Sequence, residues 1–181
     1  IINHVPKGSN VFGIDIDHSL LEIANKNVPE AKFIKHDISM RAPDDLAHKF
    51  DYAFLIGVHT IFDDLQPLLK SCKSFLKANG KLIVAGSFSI SNYDLITRVR
   101  KSGQELFETG FNRHSLNSLE KAGKESGFIS FESRPFYMRD KINRVDDPLR
   151  SYHSIFDKND ISKSILQNGI ELLCNQFIVS L

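Results

Sequence analysis

An apolar stretch, Val11-Phe12-Gly13-Ile14-Asp15-Ile16-Asp17, stops on carboxylates and passes at once into the helical spacing of Ser19-Leu20-Leu21-Glu22-Ile23-Ala24. A chain that does this is building a strand, a tight turn and a helix, the repeating unit of an open α/β sheet. A carboxylate at the carboxyl end of such a strand accepts from both vicinal hydroxyls of a ribose, which makes Asp15 the candidate for holding a nucleotide-like cofactor. The competing reading needs no ligand: Asp17 or Ser19 caps the helix that follows.

The rest of the chain repeats the pattern. Residues 1–5 read as the end of an apolar helix, and Pro6-Lys7-Gly8-Ser9-Asn10 as a turn. Ser19 and Glu22 have the spacing of a capping box, and the helix should stop at Asn27 and Pro29. Residues 31–35 form a second short strand that also ends on an acid, in His36-Asp37-Ile38. Residues 51–58 are the most apolar run, the continuous kind expected of a central strand covered on both faces. Leu65, Leu68, Leu69, Cys72, Phe75 and Leu76 then repeat at helical spacing, with Asp63 and Asp64 at the start, Pro67 in the first turn and a stop near residues 77–80. A buried strand over 81–86 follows, so strand and helix alternate, which calls for a parallel sheet with right-handed crossovers.

Beyond residue 90 the signals weaken. Leu95, Ile96 and Val99 predict a helix over 91–100, and 101–112 reads as a loop. A helix over 114–126 ends at Gly127, a strand is expected at 128–133, and a last strand at 171–181. Residues 139–167 lack periodicity and read as an excursion or lid, with one helix near 161–167.

Composition narrows the partners. The 181 residues suit one domain, and 23 basic against 22 acidic residues, with no block of like charge, give no footprint for nucleic acid or an acidic membrane. The expected partner is a small molecule. Cys72 and Cys174 are far apart in apolar surroundings and read as buried thiols in a reducing, cytoplasmic setting, and no apolar run approaches a membrane span. No spacing of ligand residues resembles a metal site; His36 and Asp37 are adjacent on a strand end and point to opposite sides.

From residue 11 to about 131 the sequence resembles the class I S-adenosylmethionine-dependent methyltransferases of the small-molecule type. Gly13-Ile14-Asp15 before Leu20-Leu21-Glu22-Ile23-Ala24, then His36-Asp37-Ile38, then Phe50-Asp51-Tyr52-Ala53-Phe54 leading to Gly57-Val58-His59 and Leu76-Lys77-Ala78-Asn79-Gly80-Lys81-Leu82-Ile83 carry that resemblance, with Gly127-Phe128 fitting further on. It implies an α/β fold: a doubly wound, Rossmann-like, mostly parallel sheet with helices on both faces and an antiparallel last strand. It also implies that Asp15 binds the ribose hydroxyls, Ile16 packs on the adenine, Asp37 accepts from the adenine amine and the Ile38 backbone meets the ring nitrogen, with Gly57 near the methionine end. The family's glycine-rich loop has no counterpart, and the chain begins at Ile1 without a methionine. The expectation is a domain lacking its first strand, which would lie between the strand ending at Asp15 and the one ending at Gly57. Those two strands should then show a gap or a distorted closure, and this chain as it stands should bind S-adenosylmethionine poorly.

Methyl transfer from a sulfonium is an in-line displacement that depends chiefly on positioning and water exclusion, with a base needed mainly for a hydroxyl acceptor. His59, just past the central strand, is the best-placed base; Tyr93, His114 and His153 are weaker candidates. The acceptor, at oxygen, nitrogen or carbon of a small molecule, and the oligomeric state are left open. A nicotinamide-dependent oxidoreductase and a non-catalytic cofactor-binding subunit of the same fold are the alternatives.

Overall fold

The computed structural model describes residues 5–89, 92–137, 141–143, 152–155, 157–168, 173–174 and 176–181, without the side chains of 168, 173, 174 and 176. The expected helix over residues 1–5 lies almost wholly outside them. A first unit comprises β1 (Phe12–Asp15), α1 (His18–Asn27) and β2 (Lys32–Lys35), with β1 and β2 parallel and Asp15 in register with Lys35. The expected capping box does not form: Asp17 is the N-cap, its Oδ1 accepting from the Ser19 and Leu20 amides at 2.8 and 3.4 Å, while Glu22 faces His18.

The larger unit starts at β3 (Phe50–Ile56), continues through α2 (Leu65–Phe75) and returns in β4 (Leu76–Ser87), parallel to β3. Asp64 caps α2 by accepting from the Gln66 amide at 2.9 Å. A two-stranded hairpin, β5 (Arg98–Val99) with β6 (Glu108–Thr109), precedes α3 (Leu116–Glu125), capped by Ser115. Then come β7 (Glu132–Pro135), β8 (Tyr152–Ile155), β9 (Ile165–Asn168), β10 (Leu173–Cys174) and β11 (Gln176–Ser180). The main sheet has the order β3-β4-β11-β7, with β11 antiparallel to both neighbours, as expected of the last strand; β10-β9-β8 is a separate antiparallel sheet.

The core lies between the main sheet and the α2–α3 pair. Leu68 and Leu69 of α2, Leu82 and Val84 of β4, Leu119 of α3 and Val179 of β11 are sealed from solvent together with Phe88. A smaller cluster of Ala42, Leu46 and Phe75 reaches Phe12, Ile14 and Ile34 of the first unit, and the Phe12 and Phe50 rings meet edge to face at 5.1 Å. Packing rather than strand pairing joins the two units, since β1 and β3 belong to different sheets.

Several expectations are corrected. β3 is an edge strand, not a central one: Tyr52, Phe54 and Ile56, on one face, are 56%, 47% and 48% exposed. α2 stops at Phe75, and residue 76 already pairs with Phe50 before the register shifts to Tyr52 opposite Lys81. Residues 92–100 are extended rather than helical, because Leu95 exchanges two backbone hydrogen bonds with Arg113, each 2.9 Å. The strand expected at 128–133 sits at 132–135, with Ile129 wholly exposed. In place of the helix near 161–167 there is one 3-10 turn at Ile161–Lys163 and then β9.

Candidate functional site

The turn after β1 is shaped by Asp15 itself. Its Oδ1 accepts from the Asp17 amide at 2.9 Å, and Oδ2 takes no hydrogen bond among the described residues. The strand end is tied across to β2, where the His36 amide donates to the Asp15 carbonyl at 3.0 Å. At the next residue, Asp37 makes the equivalent turn: Oδ1 accepts from the Ser39 amide at 2.8 Å and from its hydroxyl at 2.7 Å. The Ser39 hydroxyl and amide together hold the Asp37 carboxyl below its ordinary range, so it is an anion at neutral pH. Each acid therefore spends one oxygen on the local turn and keeps the other for an outside donor.

Ile16 stands beside Asp15 with 63% of its surface exposed, an apolar side chain that the core does not claim. Ile38 differs, since its half-buried side chain packs against both core clusters and only its backbone is left to serve a ligand. Asp15, Ile16, Asp37 and Ile38 thus gather at the carboxyl ends of two paired parallel strands, where open α/β sheets meet their ligands. Gly57 ends β3 in the other sheet. Its φ of 72° is left-handed, a conformation that disfavours a side chain even though a Cβ there would meet open space.

His59 cannot serve as a base at this surface, because no part of the ring is exposed. It stacks on Phe88 at 4.5 Å with the rings 9° apart, its Nε2 lies 3.3 Å from the Ser87 carbonyl, and Nδ1 has no partner among the described residues. Burial pushes its pKa down to about 4. A Cβ on Gly86 would fall 2.3 Å from the ring, so glycine there makes room for the imidazole. His59 is structural: it ties the turn after β3 to the end of β4.

Of the weaker base candidates, Tyr93 is exposed, His114 is buried with Nε2 2.8 Å from the Phe62 carbonyl, and His153 lies on β8 with a buried Nδ1 that has no partner among the described residues. Burial also pushes the Cys72 thiol up to about 12, which makes it inert. Cys174 lies on β10, its side chain outside those described. Among the described residues no three His, Cys, Asp or Glu side chains gather as metal ligands, and no helix is long and apolar enough to cross a membrane.

Sequence reasoning missed the polar network on the far side of the turn after β3. Asp63, assigned there to the helix start, instead pairs with Arg98 and accepts from Asn112 at 2.9 Å, and those two partners lower its pKa, Arg98 foremost. Asn112 sits in a stretch read as loop, and a lone asparagine after Gly110-Phe111 carries no signal of burial.

Residues 2–84, just under half of the chain, match the family model described as a methyltransferase domain. The ribosomal protein L11 methyltransferase of Dictyoglomus turgidum is 30% identical over 105 residues, covering 56% of this chain and 33% of the relative, so the chain spans about a third of that relative's length. Among solved structures, a SAM-dependent methyltransferase from Methanosarcina mazei superposes with a TM-score of 0.59 at 14% identity, covering 96% of this chain and 82% of that one. The DhpI–SAH complex does so at 0.56 and 11% identity, covering 96% and 66%. By the family model over residues 2–84 and by its α/β fold, the chain is similar to the class I S-adenosylmethionine-dependent methyltransferases and has their fold.

Proposed function

We propose that the protein binds S-adenosylmethionine at the ends of β1 and β2 and transfers its methyl group to a small-molecule acceptor. The observation that carries this reading is the pair of acids at adjacent strand ends, each with a carboxylate oxygen that takes no donor among the described residues. The donor set of the cofactor fits them: vicinal ribose hydroxyls suit the Asp15 acceptor, an exocyclic amine suits Asp37, and the flat base suits the exposed Ile16. The Ile38 backbone would serve the ring nitrogen, and Gly57 the methionine end. When bound, the cofactor supplies a methyl group on a sulfonium, ready for in-line displacement.

What the chain contributes is orientation and water exclusion. With His59 sealed, no base is assigned, which favours an acceptor already nucleophilic at neutral pH, such as an amine or an acidic carbon. Residues 139–167 are proposed as the acceptor-side cover. Their described part includes β8, whose Tyr152 meets the Phe111 ring edge-on at 5.5 Å, a link that supports a cover over this side.

Incubating the full-length protein with methyl-labelled S-adenosylmethionine and a panel of amines, hydroxyl compounds and carbon acids tests the reading. Label transferred to one small-molecule class is the expected result. Binding without turnover on any acceptor would leave a cofactor-binding subunit, and transfer only to a ribosomal protein would overturn the small-molecule acceptor.

A further inference from the structure

We propose that Asn112 is the positioning residue of this site, locking the turn after β3 to the β5–β6 hairpin so that the acceptor side is carried by the same turn that bears Gly57. The proposal rests on the functional reading above for what the turn serves, and on geometry alone for the lock. Asn112 is 1% exposed, and its carboxamide is fully committed. Oδ1 accepts from the Thr97 amide at 2.8 Å, next to the first residue of β5; Nδ2 donates to the Phe62 carbonyl at 3.0 Å and to Asp63 Oδ1 at 2.9 Å. Its backbone amide donates to the Thr60 carbonyl at 2.8 Å. Thr60 in turn donates to the Gly57 carbonyl through both its amide, at 3.2 Å, and its hydroxyl, at 2.7 Å. One side chain and its own amide thus reach residues 60, 62, 63 and 97, and Thr60 hands the constraint on to the left-handed Gly57.

The chemistry demands asparagine. The Thr97 amide requires an acceptor, whereas the Phe62 carbonyl and the Asp63 carboxylate require donors, so the carboxamide has one usable orientation. Aspartate, of the same shape, would set an oxygen against a carbonyl and a carboxylate in a buried site. Two further contacts follow the same line: Arg98 of β5 pairs with Asp63, and His114 Nε2 lies 2.8 Å from the Phe62 carbonyl. The residue before Asn112, Phe111, has a left-handed φ of 54° although it is not glycine. Such a conformation persists only where the surroundings enforce it, and it carries the Phe111 ring to Tyr152. Fixing residue 112 therefore also fixes an aromatic contact to β8.

The test uses the full-length protein, with amide hydrogen exchange of residues 57–63 and 94–112 and calorimetric titration of S-adenosylhomocysteine as readouts. Asn112→Asp should speed exchange in both segments together and weaken S-adenosylhomocysteine by about tenfold, the scale of one misplaced buried hydrogen-bond group. The swap Asn112→Asp with Asp63→Asn restores a donor–acceptor pair between the two positions with its direction reversed but leaves the Phe62 carbonyl without its donor and Arg98 without the Asp63 carboxylate, so it should recover part of both losses. A merely structural asparagine would lower stability without moving affinity. A folded Asn112→Asp protein with unchanged exchange and affinity would overturn the proposal. Should Asn112→Asp fail to fold, the smaller and uncharged Asn112→Ser takes its place, and a folded Asn112→Ser protein with unchanged exchange and affinity would overturn the proposal equally. Absence of S-adenosylhomocysteine binding by wild type would refute the cofactor reading alone, and the exchange measurements would still decide whether Asn112 couples the turn to the hairpin.

Discussion

The β1–α1–β2 unit and the sheet formed by β3, β4, β11 and β7 handle polar groups in opposite ways. In the main unit Asn112 and His114 are buried and bonded to the Phe62–Asp63 turn, and the exposed Asp94 uses both its oxygens on Ser115 and Ser118. In the first unit Asp15 and Asp37 are each satisfied on one oxygen only among the described residues, and Leu20, Ile23 and Ile16 are more than half exposed. Stability is concentrated where polar groups are closed off, and unused bonding capacity where they are not. The contrast separates residues that hold the fold from residues available to a ligand.

The largest effect that would sharpen this contrast is in the core. Leu82→Ala, at a position with no exposed surface, should cost about 2–5 kcal/mol, read as a shift of the urea midpoint. Next is the pH response of His59. Its imidazole titrates at 6.5 unfolded and at about 4 folded, so between those values the unfolded chain binds more protons. Stability is full above the upper value and falls as pH drops toward the lower one, by roughly 3 kcal/mol in all. Urea midpoints at pH 7 and pH 4.5 read the loss, and His59→Gln should flatten it; an equally steep fall in the variant would break the assignment.

Smaller effects belong to the first unit. Asp17→Ala removes the cap of α1 and should lower the thermal midpoint modestly. Leu20→Ala, on an exposed position of α1, should stay within about 0.5 kcal/mol. A loss there as large as in the core would mean that α1 is covered in the working protein, and the contrast between the units would fail.

How much was legible in the sequence follows from the same contrast. Local chemistry was readable: the acid-ended β1 and β2, the apolar face of α2 and the Gly127 stop of α3 all depend on neighbours in sequence. Long-range choices were not. Leu95, Ile96 and Val99 have helical spacing, yet Arg113 and Asn112 supply backbone partners that keep this segment extended. An apolar run like β3 does not reveal whether it has one neighbour or two, and His59 at the end of that run gives no sign that β4 and Phe88 enclose it. Asn112 was invisible because its importance comes from four residues 15 to 52 positions away in the chain.

The central claim is that the free oxygen of Asp15 serves a ribose, and a cycle of calorimetric titrations on the full-length protein tests it most directly. S-adenosylhomocysteine and its 2′,3′-dideoxy analogue are each titrated into wild type and Asp15→Ala. The account predicts that Asp15→Ala weakens S-adenosylhomocysteine by about 1–3 kcal/mol, the scale of a charge-assisted hydrogen bond, leaves the analogue unchanged, and keeps the thermal midpoint near that of wild type. Equal weakening of both ligands, or none of either in a folded variant, would contradict it.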